Sequence, residues 1–506
     1  MVLEEIFDPS EEVKRGVILA TVTRVHDDSS KVTLVPRGSH GLGPQELENG
    51  HAKAESTQPP RLCKASRCIQ FVDYLRFHVF TVYRQLWILV VAANLAAMIV
   101  TVVRQSRKSS PSLAGCINAS VANLLMAILI RQDYVKNLMY RTCWSIPHSA
   151  PLWLRRRLAL VYENGGVHSG AAVSALCWFA VFTAFLWVRF RHDTFSDIAV
   201  LVFDCMLAVL LLSIVGTAMP QVRRRYHNMF ESVHRWAGWF AIVLFWVALA
   251  LFARDEARSL DPPASTGGRL VRLSAFWMLV IISLNLIYPW LLLRKVAVIR
   301  SERLTLHAIR IFFDRKEKVP ELHGLAISSH PLAEWHAFAS IPPFSDSDAG
   351  AYSCIISNAG DWTGNVVANP APHYWMRGVH QTGQLAMASV FRRVVIMATG
   401  SGIGPCLAAF GHLPHTQMHI IWTAPSPRKI FGDAIYEAVL SQDPQATIWD
   451  TRKDGRRPDM VKMAEELYRR TEAEAVFFIS NRNLTRVTIA ALRKRNVAAY
   501  APVFDS

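Results

Sequence analysis

Residues 290–295, Trp290-Leu-Leu-Leu-Arg-Lys295, divide the chain into two halves of different character. Long apolar segments dominate the residues before this point. The residues after it alternate short apolar runs with Gly, Pro and charged residues. A basic pair directly after an apolar segment is typical of a boundary between membrane and cytoplasm. We call Arg294-Lys295 the junction, and it predicts a membrane domain followed by a soluble module.

Six apolar segments precede the junction, and each approaches the roughly 20 residues that a helix needs to cross a bilayer. They cover residues 84–103, 112–130, 169–190, 197–219, 235–253 and 272–293. We therefore expect a multi-pass α-helical membrane bundle of about six spans over 61–295, in contact with lipid. A transporter is a weaker interpretation, because it rests only on the number of spans and on Asp204 within the fourth.

Basic residues predict the orientation of these spans. They precede span 1, and they are dense between spans 2 and 3, where Arg155-Arg156-Arg157 stand together. Arg223-Arg224-Arg225 precede span 5, and the junction follows span 6. Both termini are therefore expected in the cytoplasm, although Arg104, Arg107 and Lys108 fall on the predicted outer side.

The chain has 506 residues, 51% of them hydrophobic, and a formal net charge of +16. Much of the positive charge flanks apolar segments, so it argues for membrane loops and against nucleic-acid binding. The eight Cys are scattered without zinc-ligand spacing, which favours reduced thiols. Residues 1–60 mix charges with Gly, Pro and Ser and predict a disordered tail. The acidic first ten residues lack the apolar core of a cleavable signal.

Two patterns follow the junction. Short β-rich runs separated by Pro and Gly extend to about residue 385 and predict a small antiparallel barrel over 296–385. They are Leu304–Phe313, Gly324–Ser329, Trp335–Ile341 and Tyr352–Asn358. Strands then alternate with helices, which predicts a doubly wound parallel sheet over 386–506. Its strands are expected at Arg393–Ala398, His419–Trp422, Thr447–Asp450 and Val476–Ser480, with a helix at Met460–Arg470.

The segment Val394-Val-Ile-Met-Ala-Thr-Gly-Ser-Gly-Ile-Gly-Pro405 predicts a strand, a tight Gly turn and the start of a helix. Glycines allow the backbone to approach a dinucleotide, and the free N–H groups of a helix end favour phosphate. Pro405 suits the first helical turn, where its missing N–H costs nothing. An ordinary structural turn is the alternative, and the strand–turn–helix context favours a nucleotide site at Gly400, Ser401, Gly402, Gly404 and Pro405.

Gly400–Pro405, Gly360-Asp-Trp-Thr363 and the strand around His336 together resemble the ferredoxin-reductase-type module of ferric reductases and NADPH oxidases. A closer likeness is to fungal TmpA-type integral membrane flavoproteins, over about 68–506. The segments that carry it are Gly165-Gly-Val-His-Ser-Gly170, His234-Arg-Trp-Ala-Gly238, Asp459-Met460, Ile479-Ser-Asn481 and Ala499-Tyr-Ala-Pro-Val-Phe-Asp-Ser506.

The resemblance implies an FAD site that uses His336, Phe338 and Ser340 from one strand and Gly360, Asp361, Trp362 and Thr363 from the next turn. Ala337 and Ala339 stand where such strands usually carry Pro and Thr. The loss of the Thr hydroxyl removes a hydrogen bond worth about 1 kcal/mol. An edge strand and a simple Gly turn remain the structural alternatives. Tyr500 or Phe504 resembles the terminal aromatic that covers the flavin, and plain packing is the alternative. NAD(P)H is the implied donor. Arg428, Lys429, Arg452 or Lys453 could meet a 2′-phosphate, and a solvated charged loop is the alternative for each of them.

The resemblance also implies histidine ligands for haem b on spans 3 and 5. His168 and His234 open these spans and could bind one inner haem. Two interfacial histidines without metal are the alternative. The positions expected for an outer pair hold Val181, Phe182, Val247 and Ala248, none of which binds iron.

These residues predict a membrane flavin oxidoreductase, similar to ferric reductases, that passes electrons from NAD(P)H through FAD to an unidentified acceptor. The alternative is a catalytically degenerate relative that keeps the fold and acts in membrane signalling or as a scaffold.

Overall fold

The computed structural model describes residues 81–108, 112–191, 198–260, 262–314, 319–344 and 350–502. The predicted tail at 1–60 and the candidate Phe504 therefore lie outside the described residues. Ten helices precede the junction in this part of the chain. They are α1 Val82–Gln105, α2 Ala114–Leu129, α3 Asp133–Trp144, α4 Leu152–Leu158, α5 Gly165–Arg191, α6 Ile198–Thr217, α7 Pro220–Arg225, α8 His227–Arg258, α9 Thr266–Arg272 and α10 Ser274–Leu291.

Five of these helices, α1, α5, α6, α8 and α10, are long and apolar enough to cross a membrane. The predicted second span differs, because α2 has only 16 residues and continues into α3 through a bend of 70°. Counting that bent pair as one span gives six. The bend separates the apolar α2 from the polar α3, which packs on the soluble module instead of continuing α2.

Close packing joins α1 to α5. A Cβ added at Gly166 would lie 1.9 Å from the Tyr83 carbonyl oxygen, so only glycine allows this approach. Small residues serve the same purpose in helix packing within membranes. Tyr83 also hydrogen-bonds Ser169 across the pair, at 2.7 Å.

An antiparallel barrel follows the junction directly. Its strands are β1 Arg294–Thr305, β2 Ala308–Asp314, β3 His323–Ser328, β4 His336–Ala339, β5 Ala351–Ser357, β6 His373–Met376 and β7 Gln381–Thr382. The order is β4-β3-β6-β1-β2-β5, and β7 pairs with β3. A bridge between Ile341 and Ser353 joins the two ends of this order. Helix α11, Asp361–Ala368, packs against β5.

A parallel sheet of five strands completes the chain, in the order β10-β9-β8-β11-β12. The strands are β8 Arg393–Thr399, β9 Gln417–Ala424, β10 Thr447–Asp450, β11 Ala475–Ile479 and β12 Ala499–Tyr500. The helices are α12 Ile403–Leu407, α13 Pro427–Phe431, α14 Asp433–Gln442, α15 Met460–Arg470 and α16 Arg482–Lys494. Buried side chains of β8 enter separate apolar clusters on the two faces of the sheet, as a doubly wound sheet requires. The prediction of an antiparallel barrel followed by a parallel doubly wound sheet is confirmed.

Residues 131–164, which we call the connector, lie between α2 and α5 and contact both parts of the soluble module. Arg155 is 4% exposed and binds the Glu474 carboxylate through two hydrogen bonds of 2.7 and 2.8 Å. On the barrel side, Asn137 donates to the His380 carbonyl oxygen at 2.7 Å and accepts from the backbone N–H of Thr382 at 2.8 Å. Arg155 belongs to the basic cluster that the sequence suggested for a membrane loop, and its structural role is a buried ion pair.

Candidate functional site

A cavity of about 300 Å³ lies where the barrel, the parallel sheet and the connector meet. Each of the three parts contributes residues to its wall. The volume is at the lower end of the range of about 300–1,000 Å³ that is typical of ligand pockets. The barrel supplies 322–324, 337–339 and 381–386, the sheet domain supplies Pro405, Ala408, Ala409, 477–479, Tyr500 and Pro502, and the connector supplies Tyr140 and Tyr162. Apolar surface with a few polar groups suits a planar organic ligand better than a metal ion.

The predicted flavin strand is β4. Some of its side chains line the cavity, and the His336 side chain packs on Trp362 instead. Ala337, Phe338 and Ala339 line the cavity. His336 instead stacks on Trp362, with ring centroids 4.2 Å apart and planes at 18°. Phe338 contacts the same Trp362 ring at 6.2 Å. Of the three residues predicted to contact flavin from this strand, Phe338 lines the cavity, whereas His336 and Ser340 do not.

Gly360-Asp-Trp-Thr363 begins a helix, where the sequence suggested a Gly turn. Thr363 Oγ1 accepts from the backbone N–H groups of Ala359 and Gly360 at 2.9 Å each, so it caps the start of α11. Gly360 has φ −175°, which any residue adopts. None of these four residues lines the cavity, although the N-terminus of α11 follows β5, where a diphosphate was expected. Asp361 is exposed in the first turn.

The loop Gly400–Pro405, which we call the nucleotide loop after its predicted role, follows β8 as the sequence predicts. Gly400 has φ +53°, a left-handed conformation that favours glycine. A Cβ on Gly402 would lie 2.6 Å from the Ile479 carbonyl oxygen, so glycine lets the loop approach β11. Gly404 packs on Ile355 of the barrel. Pro405 lines the cavity, and Ser401 hydrogen-bonds Ser357 of β5. The helix that follows is short, and α12 ends at Leu407.

Tyr500, offered as a covering aromatic, is fixed by its surroundings. It is 3% exposed and stacks on Phe477 with ring centroids 5.2 Å apart. Its hydroxyl donates to the Arg156 carbonyl oxygen of the connector at 3.0 Å. Burial raises the pKa of Tyr500, so the phenol stays protonated. Tyr500 therefore forms a fixed wall of the cavity that the connector holds in place.

Among the basic residues after β9 and β10, Arg428 already has carboxylate partners. Arg428 pairs with Asp433 at 2.5 Å and with Glu437 at 3.1 Å. Asp450 accepts backbone N–H bonds from Ser426, Arg452 and Lys453, and the bond from Ser426 contributes most to lowering its pKa.

His168 and His234 face each other across α5 and α8, as predicted. Their ring centroids lie 6.1 Å apart at an angle of 60°. His168 Nδ1 lies 2.8 Å from the Ala127 carbonyl oxygen, so it can donate there and leave Nε2 for a metal. Among the described residues, no group of three or more His, Cys, Asp or Glu is arranged to hold a metal ion. The two histidines therefore fit a two-histidine haem site in number, although the buried Nδ1 of His234 has no hydrogen-bond partner among the described residues.

Aromatic side chains fill the bundle at the level expected for a second haem. Phe179 packs on Phe245 and Phe182 packs on Phe252, each pair with ring centroids 5.8 Å apart. Asp204 is 2% exposed beside these rings, at a void of about 10 Å³. This void is close to the smallest that holds one water molecule. The aromatic pairs occupy the interior where the outer pair of histidines would stand.

Comparison with known proteins identifies relatives of this chain among fungal adenylate-forming reductases. The family model for the C-terminal domain of adenylate-forming reductase 03009 matches residues 384–506. Adenylate-forming reductase 03009 of Coprinopsis cinerea is 38% identical over 437 residues, which cover 86% of this chain and 41% of that protein. Adenylate-forming reductase 06235 of the same fungus is 36% identical over 439 residues, with the same coverage. The chain thus spans about two fifths of the length of these curated relatives.

Solved structures of two flavoproteins also align with the chain. A ferredoxin NADP+ reductase from Neisseria gonorrhoeae with bound FAD and NADP is 11% identical, with a TM-score of 0.32, and covers 42% of this chain and 98% of its own. A flavohemoglobin from Malassezia yamatoensis with bound FAD and heme is 13% identical, with a TM-score of 0.35, and covers 78% and 98%. These scores are low, so the fold assignment rests on the strand order given above.

Proposed function

We propose that this protein is a membrane flavin oxidoreductase that transfers electrons from NAD(P)H through FAD to an acceptor. The observation that carries this proposal is the cavity of about 300 Å³, which lies between β4 of the barrel and Pro405 of the nucleotide loop. A flavin ring and a nicotinamide ring must meet for hydride transfer, and these two elements face one space. The reductase names of the homologues support the same chemistry.

The side chains of the cavity would position the two rings and exclude water. Phe338 and Tyr500 offer aromatic surface, and Ala337 and Ala339 leave room beside β4. The Gly400–Gly402 turn lets a dinucleotide backbone approach β8 and β11. FAD, when bound, accepts a hydride and passes electrons on singly.

The proposal includes a location of the helices before the junction in a lipid bilayer. Five or six apolar helices support it, and the basic residues of the loops favour a cytoplasmic location for both termini. A haem b between His168 and His234 would lie in the inner half of the bundle. The filled outer half favours an acceptor at the cytoplasmic face or within the membrane. The closer kinship with TmpA-type flavoproteins remains part of this proposal.

The names of the homologues favour a second candidate acceptor. An adenylate-forming reductase would reduce a carboxyl group that has been activated as an adenylate. Identity of 38% over 86% of this chain favours a shared reductive step. In this alternative, the chain would deliver reducing equivalents to an activated acyl group instead of a metal or a quinone.

A cavity-filling substitution tests the flavin assignment. We expect Ala337→Trp, on the exposed edge of β4, to abolish FAD binding, because the indole would occupy the cavity. Ala368→Trp is the matched control, since Ala368 is exposed at the end of α11, away from the cavity. FAD content of the purified full-length protein is the measurement. Equal FAD content in both variants would place the flavin elsewhere, and absence of FAD from the unsubstituted protein would favour a signalling or scaffold role.

A further inference from the structure

A series of three hydrogen-bonded polar side chains, two of them buried, runs from the cavity to the connector. His323 at the start of β3 lines the cavity and is 5% exposed. Its Nε2 lies 3.2 Å from Thr382 Oγ1, which lies 2.9 Å from Asn137 Oδ1 of the connector. The proposed flavin reaction uses none of these three residues.

The hydrogen atoms on His323 and Asn137 can be assigned from their hydrogen-bond partners. His323 Nδ1 lies 2.7 Å from the Glu321 carbonyl oxygen, which only accepts, so Nδ1 carries a hydrogen. Asn137 donates through Nδ2 to the His380 carbonyl oxygen, and its Oδ1 accepts from the backbone N–H of Thr382. The orientation of the Asn137 amide is therefore fixed.

Thr382 has one hydroxyl hydrogen and two neighbours that could accept it. If it donates to Asn137 Oδ1, its oxygen can only accept from His323, and His323 Nε2 must also carry a hydrogen. If it donates to a neutral His323, the Asn137 contact is lost. All contacts are satisfied together only when His323 carries two hydrogens and a positive charge. With neutral His323, Asn137 Oδ1 keeps its bond from the Thr382 N–H, so protonation of His323 adds one hydrogen bond, from the Thr382 hydroxyl to Asn137, worth about 0.5–1.5 kcal/mol.

The environment of His323 disfavours its positive charge when no negative group lies nearby. Burial lowers the pKa of His323, the Glu321 carbonyl bond works in the opposite direction, and the charge of Arg141 lowers it further. Tyr140 and Tyr162 also line this cavity, and the Glu321 carboxylate pairs with His412 at 3.0 Å. A negative charge within the cavity would supply the missing partner.

We propose that His323 is the proton-binding group of the cavity, and that it takes up one proton when the ligand there gains negative charge. This inference rests on flavin as that ligand. A hydride from NAD(P)H brings two electrons and one proton to the flavin, which thereby gains one negative charge. His323 takes a second proton from water, and Thr382 and Asn137 complete its hydrogen bonds. His323 is a positioning residue, because its role is to place charge beside the cofactor.

The test is the pH dependence of the flavin reduction potential in the purified full-length protein. Each proton taken up with two electrons changes the potential by about 30 mV for each tenfold change in proton concentration. We expect a slope of about 59 mV per pH unit above pH 7, where the reduced flavin itself stays anionic, and about 30 mV in His323→Gln. Thr382→Val should move the change in slope to lower pH, and Thr382→Ser should restore it.

His419→Gln is the matched control, because His419 lies on β9 and does not line the cavity. A slope of about 30 mV in the unsubstituted protein, or equal slopes in His323→Gln and the unsubstituted protein, would overturn the inference. Absence of bound flavin would instead refute the proposed function, and the absorbance of the sample shows this before any titration.

Discussion

Removal of the Arg155 side chain tests whether the connector is fastened to the soluble module. The guanidinium makes four hydrogen bonds, two to Glu474, one to the Val390 carbonyl oxygen at 2.9 Å and one to the Ala150 carbonyl oxygen at 3.0 Å. Breaking a buried ion pair from one side typically costs about 3–5 kcal/mol. Glu474 is 16% exposed and keeps its bond from the backbone N–H of Arg392, which favours the lower end of this range.

We therefore expect Arg155→Ala to weaken the attachment by about 3 kcal/mol, or roughly 100-fold in the opening equilibrium. Hydrogen–deuterium exchange of the α4 amides in the full-length protein is the assay, because exchange reports local opening. Protection should fall about 100-fold. Arg157→Ala is the matched control on the same helix, since Arg157 is exposed and its side chain hydrogen-bonds Gln85 on α1 instead of the soluble module, so protection should change less than about threefold.

A double substitution separates the ion pair from simple packing. Arg155→Met with Glu474→Met removes both charges and leaves apolar volume, so it should recover much of the lost protection. Unchanged protection in Arg155→Ala would refute the reasoning, because the connector would then be held by other contacts. Equal losses in Arg155→Ala and Arg157→Ala would indicate a general loss of α4 rather than a specific ion pair.

Three further outcomes follow from close contacts and charge. Gly402→Ala should lower the free energy of unfolding by about 1–3 kcal/mol and weaken nucleotide binding, because its Cβ would meet the Ile479 carbonyl oxygen. Gly360→Ala is the control, since its Cβ would meet open space, and thermal unfolding should show a change of less than about 0.5 kcal/mol. Gly166→Ala should disrupt the α1–α5 contact and lower the yield of folded protein, while Gly238→Ala, which meets no atom within 4 Å, should not. Burial acts to raise the pKa of Glu474, yet its hydrogen bonds and the Arg155 charge lower it overall, so protection of α4 should be full above about pH 4.5 and fall as the pH drops further.

Local periodicity was enough to predict much of the soluble module. The strand Thr447–Asp450 and the helix Met460–Arg470 have the predicted limits. The apolar run Leu304–Phe313 was predicted as one strand, but it contains the turn between β1 and β2. The side chains on both sides of this turn are β-forming, so composition alone does not reveal it.

The candidate site was less predictable because it depends on contacts between distant residues. Arg155 and Glu474 are 319 positions apart, and Arg155 stands in a basic cluster that fits a solvated loop equally well. No sequence pattern identified Tyr140 and Tyr162 as site residues, since they line the cavity only because the connector packs on the soluble module. Phe338 and Pro405 were predicted from local motifs as flavin and nucleotide contacts, and the structure brings both to the wall of one cavity. The capping role of Thr363 was missed, although Thr three residues after the N-cap can reach back to it.

The absorption spectrum of the purified full-length protein, before and after anaerobic addition of NADPH, tests the central claim most directly. We expect the visible bands of a bound flavin and their bleaching by NADPH, with NADH as the comparison donor. A Soret band that disappears in His168→Ala and in His234→Ala would add the inner haem. A protein without flavin bands, or with flavin that neither nucleotide bleaches, would contradict the claim that the cavity between β4 and the nucleotide loop is a reductase site.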